Sequence, residues 1–353
     1  MARRERYIFA EEPRRGRGFL IGFLVVLVLA AAVVFVANFA MNHSVVFTRE
    51  DVTIPNLPSD LENFTILHLS DLNGADIGEK QSAVEKALGS RTASCVVFSG
   101  NMLDDSGNVQ PLLDLTAVMP RSAPIYYLPD GDPSVYASTA HASMEAYTDQ
   151  ALKLQSAGIV ILDRPVKIDK GRNTLWLIPE ELYTLDLDSS ETEWRSRLDK
   201  LTAQGELTAD ESAMKRLAEF QLERYAAIRA SIEDIDKNDI LVAVTHLPLT
   251  RESVARDKAM SDEDDLFSIH NVSLVLAGGT AGGQWRLPGA GAIWAPEEGF
   301  FPEDITLRGM SNLLGIRQHI SPGLGVSDDY PLLRFRLFNS PEMTLLVLTS
   351  TQH

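Results

Sequence analysis

Between Phe19 and Ala40 the chain runs for 22 residues without a charge, and most of them are Leu, Val, Ala or Phe. About 20 apolar residues in a helix cross the hydrocarbon core of a bilayer, because a helix satisfies its own backbone where water is absent. The stretch therefore predicts one transmembrane helix over residues 18–40. A secretory signal has a shorter apolar region, about 7–15 residues, and ends in a small-x-small cleavage site. Ala37-Asn38-Phe39-Ala40 offers no clean site of that kind. The expectation is a permanent signal anchor, with a cleaved signal peptide as the alternative.

Residues 1–17 carry six arginines against Glu5, Glu11 and Glu12, a net +3. The positive-inside rule leaves this basic tail in the cytoplasm and sends residues 41–353 across the cell membrane as an extracytoplasmic domain. With a formal charge of −17 on the whole chain, that outer part carries −20. Such a balance excludes nucleic acid and anionic lipid as electrostatic partners of the outer domain. Its one cysteine, Cys95, lies in Ser94-Cys-Val-Val-Phe98 and reads as a small buried strand residue. The domain must rest on its core, without an internal disulfide.

Residues 41–59 read as a linker and 60–353 as one α/β domain. In that domain a series of apolar strands each ends in a polar or glycine-rich turn. Phe64-Thr-Ile-Leu-His-Leu-Ser leads to Asp71-Leu72-Asn73, and Cys95-Val-Val-Phe-Ser-Gly leads to Asn101-Met-Leu-Asp104. Ile125-Tyr-Tyr-Leu128 runs into Pro129-Asp130-Gly131-Asp132, and Ile240-Leu-Val-Ala-Val-Thr runs into His246-Leu-Pro248. Leu274-Val-Leu-Ala277 opens on Gly278-Gly279-Thr280-Ala281-Gly282-Gly283-Gln284. Glycines packed this densely after a strand serve positive φ or a close approach of backbone. Open α/β sheets hold their ligand groups just past the carboxyl ends of strands. Asp71 and Asn73, two residues apart at such an end, can therefore face one ion. His68, inside its strand, reads as a hydrogen-bonded core residue.

In order and spacing these stretches resemble the motif series of the calcineurin-like metallophosphoesterases: Asp-x-His, Gly-Asp-x-x-Asp, Gly-Asn-His-Asp, His-x-Pro and Gly-His-Thr-His-Gly-Gly-Gln. Ser321-Pro-Gly-Leu-Gly325 and a last strand over Pro341–Leu348 resemble that family's closing turn and strand. The resemblance spans roughly residues 60–350 and implies a sandwich of two mixed β-sheets flanked by helices. It also implies a two-metal site at Asp71, Asn73, Asn101, Asp130, His246, Gly279 and Ala281, with Gly131 at the place of a catalytic histidine. Only Asp71 and His246 keep the family's residue. Asn101 stands where a carboxylate bridges the ions, and a neutral amide cannot offset two divalent charges. Gly279 and Ala281 have no ligating side chain.

The expectation is therefore a membrane-anchored pseudoenzyme that binds or senses an unknown protein or small-molecule ligand at the old cleft, without a cofactor. Asp71, Asp130 and His246 leave an alternative, a phosphoesterase with a single Mg²⁺, Mn²⁺ or Ca²⁺. A purely structural envelope protein, with its cleft filled by side chains such as Trp285, is a third. Residues 180–237 add a polar helical insertion, with capping boxes at Ser190–Glu193 and Thr208–Glu211. These helices read as flank packing, a lid over the cleft being the alternative.

Overall fold

A computed structural model describes residues 15–129, 148–296, 298–302, 307–327 and 333–350. The chain begins with α1 (Arg15–Asn42), exposed from Phe19 to Ala37, and its segment Phe19–Asn42 is long and apolar enough to cross a membrane. The next residues, expected in a linker, form a strand instead. β1 (Val46–Thr53) pairs in parallel along the whole of β15 (Glu342–Thr349). Arg49, Glu50 and Asp51 obscure this strand in the sequence, but at a sheet edge charged side chains are tolerated and discourage edge-to-edge pairing.

The strands β2 (Thr65–Leu69), β3 (Cys95–Ser99), β4 (Ile125–Leu128) and β5 (Ile159–Ile161) complete the first sheet, in the order β1-β15-β2-β3-β4-β5. β2 through β5 are parallel, and β15 joins β2 antiparallel. Helices α2 (Ser82–Leu88), α3 (Gln110–Val118) and α4 (Asp149–Ser156) lie between these strands. Gly158 follows α4 with φ +86° and its N–H returns to the Gln155 carbonyl, which closes the helix as its sequence suggests.

The second sheet has the order β13-β14-β9-β8-β7-β6. Its members are β6 (Val166–Lys170), β7 (Asn173–Pro179), β8 (Ile240–Val244), β9 (Val272–Ala277), β13 (Gly309–Leu313) and β14 (Ile316–Ile320). β7, β8, β9 and β14 are parallel, and the two outer strands antiparallel. Both sheets are thus mixed. Ile66, Val97 and Leu346 of the first pack with Leu177, Val242 and Leu274 of the second in one buried cluster. The central strands are apolar at nearly every position, as strands covered on both faces must be.

A third sheet, β10 (Trp285–Leu287), β11 (Gly291–Ala295) and β12 (Gly299–Phe300), is antiparallel and follows the glycine-rich turn. Helices α5 (Leu187–Thr202) and α6 (Ala209–Glu233) lie between β7 and β8, and α7 (Arg251–Met260) follows β8. Tyr225 and Ile228 of α6 pack with Trp176, Ile178 and Leu241 on a flank of the second sheet. The Thr208–Glu211 capping box is present, but Ser190 caps nothing. The cap lies four residues earlier, where the Asp186 carboxylate accepts the Ser189 N–H at 3.0 Å.

Candidate functional site: an acid and an arginine at the strand ends

The site is built where β2, β3, β8 and β9 end. Asp71 follows β2 with its backbone at φ +51°, Asn73 sits at +49° and Asn101, after β3, at +50°. Asp and Asn tolerate this left-handed region better than other residues with side chains. The turns lock to each other: the Asn73 N–H donates to the Asn101 carbonyl at 2.8 Å, and the Asp71 N–H to the Gly100 carbonyl at 3.1 Å. Asn73 and Asn101 are half-buried, whereas Asp71 is 1% exposed.

The Asp71 carboxylate is already occupied. Ser70 Oγ donates to Oδ2 at 2.6 Å, and the Gly279 N–H points at Oδ1 and Oδ2 from 3.0 and 3.1 Å. Burial raises the carboxyl above its ordinary range, while Ser70, His246, Arg336 and the Gly279 N–H each pull it back. Arg336, which no motif marks in the sequence, is 2% exposed. Its Nε donates to the Gly325 carbonyl at 2.7 Å and its Nη2 to the Pro322 carbonyl at 2.9 Å, which aims the guanidinium at the Asp71 side of the turn. A Cβ built on Gly323, at φ +75°, would lie 2.9 Å from Asp71 Oδ2 and 3.1 Å from Arg336 Nη2. A side chain at 323 would be wedged between the two groups, and glycine leaves that space open. Burial lowers Arg336 to about 10, with Asp71 acting to raise it.

His246, after β8, is 8% exposed and its Nε2 is buried without a hydrogen-bond partner. Gly279 stands between His246 and Asp71 at φ +77°. A Cβ there would meet Leu247 Cδ2 at 2.6 Å and both Nε2 and the carbonyl of His246 at 3.1 Å. The space that a histidine at 279 would need is filled. Ala281, at φ +45°, is 1% exposed, with its carbonyl held by Asn339 Nδ2 at 2.8 Å. The remaining polar residues of the glycine-rich turn serve the frame. Thr280 Oγ1 donates to the Leu307 carbonyl, and Gln284 Nε2 donates to the Leu333 carbonyl while its Oε1 accepts the Ser327 N–H.

Asp71 thus meets the Gly279 N–H, Gly279 packs against His246, and the turns of Asn73 and Asn101 bond to each other, while the Ala281 carbonyl turns to Asn339. Asp130 and Gly131 lie outside the described residues. Among the described residues no group of three or more His, Cys, Asp or Glu gathers as a metal site. The donors among the described residues do not fit the two-metal set that the resemblance implies: Gly279 and Ala281 offer no ligating side chain, and the Asp71 carboxylate is already hydrogen-bonded by Ser70 and the Gly279 N–H. Trp285 stays half-buried in the third sheet, its Nε1 on the Phe335 carbonyl and its ring against Phe335 and Trp294.

Beside this cleft lies a second polar cluster. His68 Nδ1 and His319 Nδ1 meet at 2.8 Å between β2 and β14, and His68 Nε2 meets Ser99 Oγ at 2.8 Å. His68 is thus the hydrogen-bonded core residue that its position in the strand implies. Cys95 is likewise buried, and burial raises its thiol.

No protein-family model matches the chain, and no curated protein matches it. Among solved structures, it is similar to the crystal structure of phosphopantetheinyl hydrolase (PptH) from Mycobacterium tuberculosis, at 15% identity and a TM-score of 0.35. The match covers 75% of this chain and 91% of that one. A superposition of this quality fixes no residue-to-residue correspondence.

Proposed function

We propose that the protein is anchored in the cell membrane by residues 18–40. In this proposal it displays outside the cell a calcineurin-like phosphoesterase sandwich that works by binding and not by hydrolysis. The observation that carries this is Arg336. A two-metal phosphoesterase needs two ions about 3.5–4 Å apart to activate water and stabilise the leaving oxygen. Here the positive charge beside Asp71 comes from a side chain that cannot ionise water. The Arg336 guanidinium is tied to two carbonyls and is held in a turn that only glycine at 323 permits. The closed space at Gly279 supports the same conclusion. A cavity of about 390 Å³ beside this turn, lined by Asn42, His43, Ile77, Leu324, Phe335 and Arg336, offers room for a ligand between the anchor and the domain.

One observation favours a second reading, a hydrolase using a single ion. His246 Nε2 is buried, unpartnered and close to the Asp71 carboxylate's donor Gly279, and Asp130 follows the neighbouring strand in sequence. The test uses the full chain in detergent, incubated with Mn²⁺, Mg²⁺, Ca²⁺ or Zn²⁺, with metal content and phosphodiesterase turnover measured together. The expected result is no turnover. Stoichiometric metal with turnover that disappears in Asp71→Ala/His246→Ala would overturn the binding-module proposal in favour of the single-ion enzyme.

A further inference from the structure

We infer that the outer domain makes a second contact with the lipid bilayer, through the aromatic edge formed by β10–β12 and Phe335. This rests on the proposal that α1 spans the membrane. The anchor is not loosely tethered. Asn38 Nδ2 and Asn42 Nδ2 both donate to the Arg336 carbonyl, at 2.9 and 2.8 Å, and the Phe338 N–H donates to Asn38 Oδ1 at 2.8 Å.

Helix length then sets the depth. A hydrocarbon core of about 30 Å takes about 20 helical residues, and Asn38 is the twentieth from Phe19. Residues 336–338 are therefore held at the outer rim of the hydrocarbon, at the level of the headgroups.

Phe335 is the next residue, 41% exposed, with its ring 4.7 Å from that of Trp285. Trp285 continues to Trp294 at 6.2 Å, and Trp294 to Phe300 at 6.5 Å. Phe300 is 59% exposed, Phe301 76% and Leu287 41%. From Leu287 to Pro296 the chain carries no charge, although residues 41–353 have a net charge of −20. Aromatic side chains favour the membrane–water interface, where an apolar body meets hydrocarbon and a polar edge meets headgroups. An acidic domain gains nothing electrostatically from anionic headgroups, so the contact must rest on apolar insertion and be insensitive to salt. Arg336 follows Phe335 directly in the chain, so the proposed contact lies beside the turn that holds the guanidinium.

The test places an environment-sensitive fluorophore on single cysteines introduced by Phe301→Cys, Leu287→Cys, Val28→Cys and Glu206→Cys, in the full chain reconstituted into phosphatidylcholine nanodiscs. Buried Cys95 leaves the unsubstituted chain as the labelling control. The expected result is quenching by lipids with a doxyl group near the headgroup at 301 and 287, unchanged by salt, and none at 206 in the α5–α6 loop. Quenching at 28, but none at 301 or 287, overturns the inference and leaves the anchor standing. No quenching at 28 removes the anchor and the inference together. A blue-shifted label at 301 that the lipid quencher cannot reach means that protein, such as a second copy, covers the patch, and it also overturns the inference.

Discussion

Asp71 lies three positions after His68, and both are buried, yet the two positions meet burial in opposite ways. The histidines give up their charge. Burial holds His68 well below its ordinary range, with His319 adding to the effect, and burial pushes His319 down to about 3. Two neutral rings then need only one proton between them and a hydroxyl from Ser99. Asp71 faces a group that cannot give up its charge. Arg336 therefore brings its own carbonyl partners for Nε and Nη2, leaves Nη1 buried without one, and acts on Asp71 only through its charge. A neutral pair can staple two sheets, whereas a charged pair commits the surrounding turns.

The largest test of this contrast is Arg336→Met. It leaves two buried carbonyls without a donor and removes the positive charge that lowers Asp71, an expected cost of about 1–3 kcal/mol in urea unfolding of the full chain. Adding Asp71→Leu should recover part of the loss, because removing both partners leaves no orphan charge. A cost below about 1 kcal/mol for Arg336→Met would mean that Asp71 does not depend on the guanidinium.

The histidine pair predicts an acid weakness. Both folded-state values lie below the unfolded value of 6.5, so the unfolded chain binds more protons as pH falls. Stability present above pH 6.5 should drop by up to about 1.4 kcal/mol per pH unit per histidine on acidification. Asp71, raised by burial, acts with the opposite sign because its protonation favours the folded state. Carboxylates held low by hydrogen bonds, such as Glu211 on Thr208, lose their contribution only below 4.5. Between 6.5 and 4.5 the pair's loss is partly offset by Asp71 and by Glu50, whose carboxyl burial also raises, and His319→Gln should flatten the slope of unfolding free energy against pH. An unchanged slope would sever the link between the pair and acid stability.

The smallest effect is expected at Ala281. A left-handed residue with a Cβ costs about 1–2 kcal/mol, partly offset in Ala281→Gly by the looser unfolded chain. The variant should gain less than about 1 kcal/mol, measured by the same urea curves. A loss would show that packing of the buried methyl group outweighs the backbone strain.

Much of the frame was legible in local patterns. The apolar runs mark β2, β3, β4, β8 and β9, and Asp71, Asn101, His246 and Gly279 follow their ends as strand-end chemistry requires. The Thr208 box marks α6. Local pattern failed where a stronger neighbour intervened: Asp186 starts α5 ahead of Ser190, and an edge position let charged residues 49–51 form a strand. Arg336 and His319 were invisible for a different cause. Nothing within a few residues of either one signals burial: His319 meets His68 from 251 residues away, and Arg336 is fixed by carbonyls 11 and 14 residues before it.

By itself the amino-acid sequence determined where α1 and the central strands run, because apolar length and turn-forming glycines act over a few residues. It also determined that Gly279 and Ala281 carry no ligating side chain. Only the tertiary structure decided which charges meet. The Arg336–Asp71 approach, the His68–His319 contact and the docking of Asn38 and Asn42 on residues 336–338 exist because packing closes the chain on itself. The desolvation that makes each pairing matter arises only once that packing has formed.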